Sequence, residues 1–182
     1  MVGLDIDDKH KQIIGKPFPE DLTETTLSGY YAEGGSGDKK LVYRTDVINS
    51  YPEYPLFDGE RYVGLAYKYL LIDQDYKLLT TNTPLVIVDY QCDGSSASMY
   101  RQYWNNPKGF AFFRKTEMVY APTLKRKFIS CVHYVASCII SKNYRFIQES
   151  PRPLLTILAV PMGYFWYKCI KRNVKNGINH KI

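Results

Sequence analysis

At 182 residues the chain is long enough for one ordinary domain with a real core, and its 45% apolar and 23% charged residues exclude a disordered or fibrous class. The formal net charge of +6 is unevenly carried. Lys125, Arg126 and Lys127, and a tail with Lys168, Lys171, Arg172, Lys175 and Lys181, flank apolar runs, which points to an anionic membrane surface. Nucleic acid is the competing partner, but no nucleic-acid module is recognisable. Among the four cysteines there is no CxxC pair, and the three histidines have no zinc spacing, so neither a disulfide framework nor a zinc site is expected and a reducing compartment fits. Cys131 and Cys138, seven residues apart on an apolar run, are expected to share one core. No secretory signal is expected, since the start is charged within five residues. The 17 tyrosines suit half-wet surfaces, such as a carbohydrate groove or a membrane interface, or core and strand filling.

In chain order, residues 2–16 read as a hairpin: two short apolar runs, VGLDI and QIIG, around a polar DDKHK. Residues 24–31 read as a short helical or extended piece, and GGSGD at 34–38 as a flexible loop. LVYR at 41–44 reads as a strand, followed by a cap at Thr45 or Asp46 and a short helix ending before Pro52. From Tyr62 to Ile72 the apolar spacing is helical, and DQD at 73–75 ends it. Residues 76–90 read as a second hairpin, YKLLTT and LVIVDY around NTP, the unbroken LVIV implying a strand covered on both faces. QCDGSSAS is a polar loop, MYRQYWNN a short helix and NPKGF a turn into another, and Leu124 to Ser141 a helix with a basic start and an apolar body. After a linker, LLTILAVPMGYFWY at 154–167 is uncharged. It is shorter than the roughly 20 residues of a spanning helix, and Pro161 and Gly163 interrupt it, so an interfacial or re-entrant segment is expected, or a helix docked on a soluble core.

The stretch PLFDGERYVGLAYKYL places two carboxylates, Asp58 and Glu60, around a glycine at the mouth of the helical run. They fit helix-cap chemistry, where free amides and the helix dipole favour negative charge. They also fit a general base.

The set GDKKLVYRTDVI, FDGERYV and NPKGF, in this order, resembles the second half of bacterial family 2 glycosyltransferases with a GT-A fold, over about Val2 to Lys171. The resemblance implies an α/β (α+β-like) fragment of GT-A type lacking its N-terminal nucleotide-binding half, with β-hairpins and a helical C-terminal portion. It divides into an acceptor-side portion, 1–149, and an apolar, basic membrane-associating segment, 150–182. The implied activity is an inverting transfer of a sugar from a nucleotide-sugar to a cell-surface polysaccharide or glycolipid, at the cytoplasmic face of the membrane. The alternative is a non-catalytic membrane-associated module binding lipid or a partner protein. The family's catalytic carboxylate falls on Glu60, after Gly59, with Asp58 in reserve; Arg61 stands where the family has Asp. Substrate-binding positions implied with less specific matches are Lys39, Lys40, Arg44, Arg61, Asp93, Ser95, Arg101 and Trp104, although solvated strand edges, ordinary connectors and packing aromatics produce the same residues. The family's divalent metal, Mg or Mn, is expected to find its ligands outside this chain, on a separate half. Asp5, Asp7 and Asp8 imitate the metal motif but run into a hairpin turn, with no βαβ unit before them. This chain alone is therefore expected to bind a nucleotide-sugar poorly.

Overall fold

The computed structural model describes residues 1–91, 94 and 98–177. Among them are four strands and seven helices of a mixed α/β chain. It divides into two compact units: residues 1–53 with 68–91, and residues 54–67 with 92–182.

The first unit is built on a sheet of order β2-β4-β1-β3. Strand β1 (Val2–Asp7) runs parallel to β4 (Leu78–Val88) and antiparallel to β3 (Lys39–Leu41); β2 (Glu24–Thr25) pairs antiparallel with β4. Val2, Leu4, Phe18, Tyr30 and Leu78 form its core. The expected first hairpin exists in reduced form. Asp7 Oδ1 accepts the amides of Lys9 (2.7 Å) and His10 (3.1 Å), and the returning chain meets β1 at a single antiparallel bridge, Ile6 to Ile13. Helix α1 (Leu27–Ala32) starts at Thr26, whose hydroxyl accepts the Gly29 amide at 3.0 Å. Asp73, which follows α3, takes the other free amides of that first turn, Leu27 at 3.2 Å and Ser28 at 2.8 Å. The strand expected at 41–44 lies earlier, at 39–41, and the cap expected at Thr45 or Asp46 falls on Arg44, so that both residues lie inside α2 (Thr45–Asn49), Asp46 in its first turn.

The second expected hairpin is not formed: residues 78–88 are one continuous strand. The NTP that reads as a turn is absorbed by the strand. Asn82 exchanges two hydrogen bonds with the Phe18 backbone, 2.8 and 2.9 Å, as a strand partner would. Pro84, which has no N–H to give a ladder, lies where the register slips: Val2 faces Thr80, Leu4 faces Pro84 and Asp5 faces Val86. Nor is LVIV covered on both faces. Leu85 and Ile87 are 37% and 63% exposed, and Val86 and Val88 alternate with them as half-buried.

The second unit is helical: α4 (Met99–Asn105), α5 (Pro107–Tyr120), α6 (Leu124–Ile140) and α7 (Pro153–Lys175). Ala111, Met118, Cys131, Val132, Tyr134, Cys138 and Ala159 form its core, with both cysteines buried and free, as their spacing predicts. Helix α6 begins at Thr123, which accepts the Arg126 amide at 3.2 Å, and its body packs on both α5 and α7. A buried carboxylate ties α5 to α6: Glu117 accepts from the Arg114 guanidinium and from the Ser130 hydroxyl (2.9 Å). Helix α7 meets α6 through small side chains. Thr156 and Ala159 are fully buried, and a Cβ on Gly163 would come within 2.5 Å of Val135 Cβ. It runs 23 residues with Pro161 inside, which makes it long and apolar enough to cross a membrane.

Helix α3 (Ala66–Ile72) is shorter than the helical spacing predicts, because residues 62–65 are held elsewhere. The Tyr62 carbonyl lies 2.1 Å from where a Cβ on Gly109 would stand, so this backbone passes directly over α5.

The bare contact at Gly163 makes a prediction. Gly163→Val should destabilise the second unit by ~2–3 kcal/mol, because neither Val135 nor the backbone behind it can withdraw. Both tryptophans, Trp104 and Trp166, lie in this unit, so urea unfolding followed by tryptophan fluorescence measures it.

Candidate functional site

In the second unit, the segment 54–65 forms a cleft of about 240 Å³, whose lining includes Tyr54, Phe57, Glu60, Arg61, Tyr62 and Leu65. Glu60 is half-buried, whereas Asp58 and Arg61 are exposed. Tyr54 donates its hydroxyl to the Leu65 carbonyl at 2.9 Å, pinning one end of the segment to the other. The ring of Phe57 lies against Phe112, and that of Tyr62 stacks on Phe110, so α5 backs the cleft.

Glu60 does not open the helix that follows it, although the spacing predicts that it should: α3 begins only at Ala66, and Glu60 meets the start of α5 instead. Its two carboxylate oxygens accept the backbone amides of Lys108 (2.9 Å) and Gly109 (2.8 Å). The reason is local. Pro107 opens α5 and carries no N–H, which leaves the amides of the next two residues to be satisfied. Asn106 is the residue that would ordinarily cap them, but its side-chain oxygen accepts the Arg61 amide at 2.8 Å instead. Glu60 fills the vacancy from 48 residues away. Its charge meets two donors and the positive end of the α5 dipole together. Each oxygen still has a second lone pair, so the carboxylate can accept one more hydrogen bond from the cleft.

Arg101 is exposed on α4. Trp104 is half-buried, with its ring parallel to Tyr167 of α7 at 6.5 Å, a packing role within the helical unit. Asp93 and Ser95 lie outside the described residues. The sequence reading missed a cluster on the same helices: Tyr103 contacts Phe110, His133 and Trp166 edge-on. Burial, with Arg114 and Arg126 nearby, pushes His133 down to about 3, so its ring is neutral at physiological pH. Only the shared apolar character of these stretches signals that cluster, and apolar character does not say which rings meet.

In the first unit, the three basic positions behave differently. Lys39 is turned inward, 9% exposed, and its ammonium donates to the carbonyls of Ser36 (2.7 Å) and Ile14 (3.1 Å). It clasps the glycine-rich loop to the returning chain after β1, and burial lowers its pKa against the pull of Asp5 and Asp38. Lys40 is exposed. Arg44 is exposed too, and is spent on a bidentate pair with Asp46, 3.1 and 2.5 Å. The acidic run does not converge on a metal. Asp7 holds the turn amides, Asp8 pairs with Lys11 at 2.6 Å, and Asp5 is buried in β1. Among the described residues no group of three or more His, Cys, Asp or Glu side chains could hold an ion. Asp5 Oδ1 is buried with no hydrogen-bond partner, and its carboxyl pKa is raised, first by burial and then by Asp38.

No protein-family model matches this chain, no curated protein matches it, and no solved structure matches it.

Two outcomes follow from these arrangements. Glu60→Ala orphans two amides at the start of α5 and should cost about 2 kcal/mol, read as a lower urea midpoint by tryptophan fluorescence. Asp5→Asn should raise the melting temperature at pH 7. A carboxyl with a raised native pKa costs stability once it ionises, so the gain should shrink as pH falls through that raised pKa. It should vanish where Asp5 is protonated in both folded and unfolded chains. Circular-dichroism melts at pH 7 and at pH 3 compare the two.

Proposed function

We propose that this chain is the acceptor-side portion of an inverting, GT-A-type glycosyltransferase. It would act at the cytoplasmic face of the membrane, moving a sugar from a nucleotide-sugar to a cell-surface polysaccharide or glycolipid. The observation that carries the reading is Glu60: a half-buried carboxylate, oriented by two amides, on the wall of an aromatic cleft. The cleft is smaller than the ~300–1,000 Å³ of ordinary ligand pockets, which suits one sugar unit of an acceptor better than a whole nucleotide-sugar. Tyr54, Phe57 and Tyr62 supply ring faces and hydroxyls of the kind that carbohydrate packs against.

In this reading the acceptor hydroxyl donates to a Glu60 oxygen. As its oxygen bonds the anomeric carbon, its proton passes to the carboxylate, and the nucleoside diphosphate leaves with the electron pair of the broken bond. Rigid anchoring on α5 serves that step, because the base must be within hydrogen-bond reach of the hydroxyl. Arg61 stands on the same wall as a cation for an anionic group, and exposed Asp58 is the reserve base. Lys40 and Arg101 are the exposed cations left for binding sugar or phosphate. The acidic residues described here do not fit a divalent ion, so no step is assigned to one. Mg or Mn would be held by the nucleotide-binding half with which this portion works.

A second reading, a membrane-associated module without catalysis that binds lipid or a partner protein, is favoured by one observation: both Glu60 oxygens already have a structural occupation at α5.

The experiment is sugar transfer by this chain joined to a nucleotide-sugar-binding half. Glu60→Gln keeps an acceptor for only one of the two α5 amides and so lowers the urea midpoint. Where it is still fully folded, it should lower kcat by about 100-fold or more, with donor KM near wild type. Asp58→Asn should stay within a few-fold. Normal turnover by Glu60→Gln would remove the catalytic assignment and leave the second reading.

A further inference from the structure

Helix α7 is built inside out. Over its first half the buried positions hold small or modest side chains, Thr156, Ala159 and Gly163 against α6, and only Ile170, near the end, is a large side chain fully buried. Its outward positions hold large apolar ones: Leu154, Leu158, Met162 and Phe165 are 80%, 69%, 54% and 69% exposed. The spacing of three and four residues puts 158, 162 and 165 on one stripe. That stripe continues without a break through exposed Lys168, Arg172 and Lys175. Residues 150–177 contain no Asp or Glu. Alongside the stripe, between α6 and α7, opens a groove of about 430 Å³, lined by Phe128, Val132, His133, Met162, Phe165 and Trp166. Its one titratable group, His133, is neutral at physiological pH. One turn before Phe128 lie Lys125 and Arg126, both exposed.

We infer that the outward face of α7, with the α6–α7 groove beside it, docks in the plane of an anionic lipid bilayer. The apolar stripe enters the acyl boundary, the groove takes up lipid chain, and the basic residues meet lipid phosphates.

Charge and geometry select this occupant. A second copy of the chain would bring another stripe that ends in lysine and arginine and offers no carboxylate to meet them. A bilayer with anionic headgroups supplies both the apolar layer and the negative charge. A spanning orientation does not suit α7, although its length allows one. One side of it is committed to α6, and to α4 through the Trp104–Tyr167 and Tyr100–Trp166 ring contacts. Only the outward face, the stripe with Ile157 and Tyr164 beside it, is left for lipid, and it turns basic before the helix ends. Tyr164, half exposed beside the stripe with the Lys168 ammonium over its ring at 5.2 Å, is an aromatic–basic pair of the kind found at headgroup level. The inference does not depend on Glu60: transfer without vesicle binding and vesicle binding without transfer are separable outcomes.

The test is flotation of the whole chain with vesicles of phosphatidylcholine alone and of an equimolar mixture with phosphatidylglycerol. Binding is expected to the mixture and not to phosphatidylcholine alone, and to weaken with salt. Two double variants change exposed residues and leave the packing on α6 intact. Leu158→Asp with Phe165→Asp, and Lys168→Glu with Arg172→Glu, should each reduce bound protein by about tenfold or more. Equal binding to both vesicle types, or charge reversal without effect, overturns the anionic-lipid assignment. Self-association in solution that Leu158→Asp with Phe165→Asp abolishes, with no vesicle binding by wild type, assigns the stripe to a second copy instead and overturns it too.

Discussion

A carboxylate closing the N-terminus of a helix far away in sequence holds the second unit of this protein in shape. Glu60 reaches the Lys108 and Gly109 amides, and the Arg61 amide reaches Asn106, so three hydrogen bonds zip residues 60–61 onto the start of α5. Nothing larger than hydrogen fits on Gly109, which lets the Tyr62 carbonyl lie against it. The chain from Tyr54 to Leu65, which turns at Asp58–Gly59, is thereby held over α5 with Tyr62 and Phe57 set against Phe110 and Phe112, and the cleft is the space this leaves. The same device appears in the first unit, where Asp73 takes the first amides of α1. In both places a helix start that lacks a sufficient cap of its own is completed by an acid that folding delivers.

Behind the cleft, the helical unit is specified by polar groups as much as by its apolar core. Glu117 is 4% exposed and has Arg114 and the Ser130 hydroxyl for partners, so its charge is compensated where it is buried. The pair with Arg114 lies within α5 and compensates the buried charge, adding little net stability over an apolar replacement; the Ser130 hydroxyl and Arg126, at 3.8 Å, reach the same carboxylate from α6 and fix how α5 faces it. Farther along, the hydroxyls of Ser150 and Thr156 share a 2.6 Å hydrogen bond, and the Arg152 side chain donates to the Met118 carbonyl at 3.0 Å. These bonds set where α7 begins. Small residues then let it approach α6 closely, and Leu154, Leu158, Met162 and Phe165 are left outside.

In the first unit, Lys39 does for a loop what an apolar residue could not. Its ammonium gathers carbonyls from Ile14 and Ser36, giving the glycine-rich segment a fixed partner at the cost of a desolvated charge. Asp5 is buried with one oxygen unpartnered and partly balances that charge. A buried lysine clasp of this kind is a scaffold feature, which leaves Lys40 as the basic side chain of β3 that faces solvent.

Local chemistry was legible where an element's own residues decide it. The α6 period, the Pro107 start of α5, the burial of Cys131 and Cys138 and a short helix before Pro52 all follow from spacing or backbone constraint, and all are visible in the sequence. What the sequence could not reveal was the partner. Glu60 could cap the helix next to it or one 48 residues later, and the two have the same local signature. NTP could turn a hairpin or be absorbed by a strand, because whether Asn82 finds the Phe18 backbone depends on a segment 64 residues away. An uncharged run at 154–167 states that apolar surface exists, and only packing decides which side is spent on α6 and which remains outside. Periodicity encodes a face; the tertiary structure alone assigns that face its neighbour, because the free energy of burial and of a satisfied amide belongs to the pair.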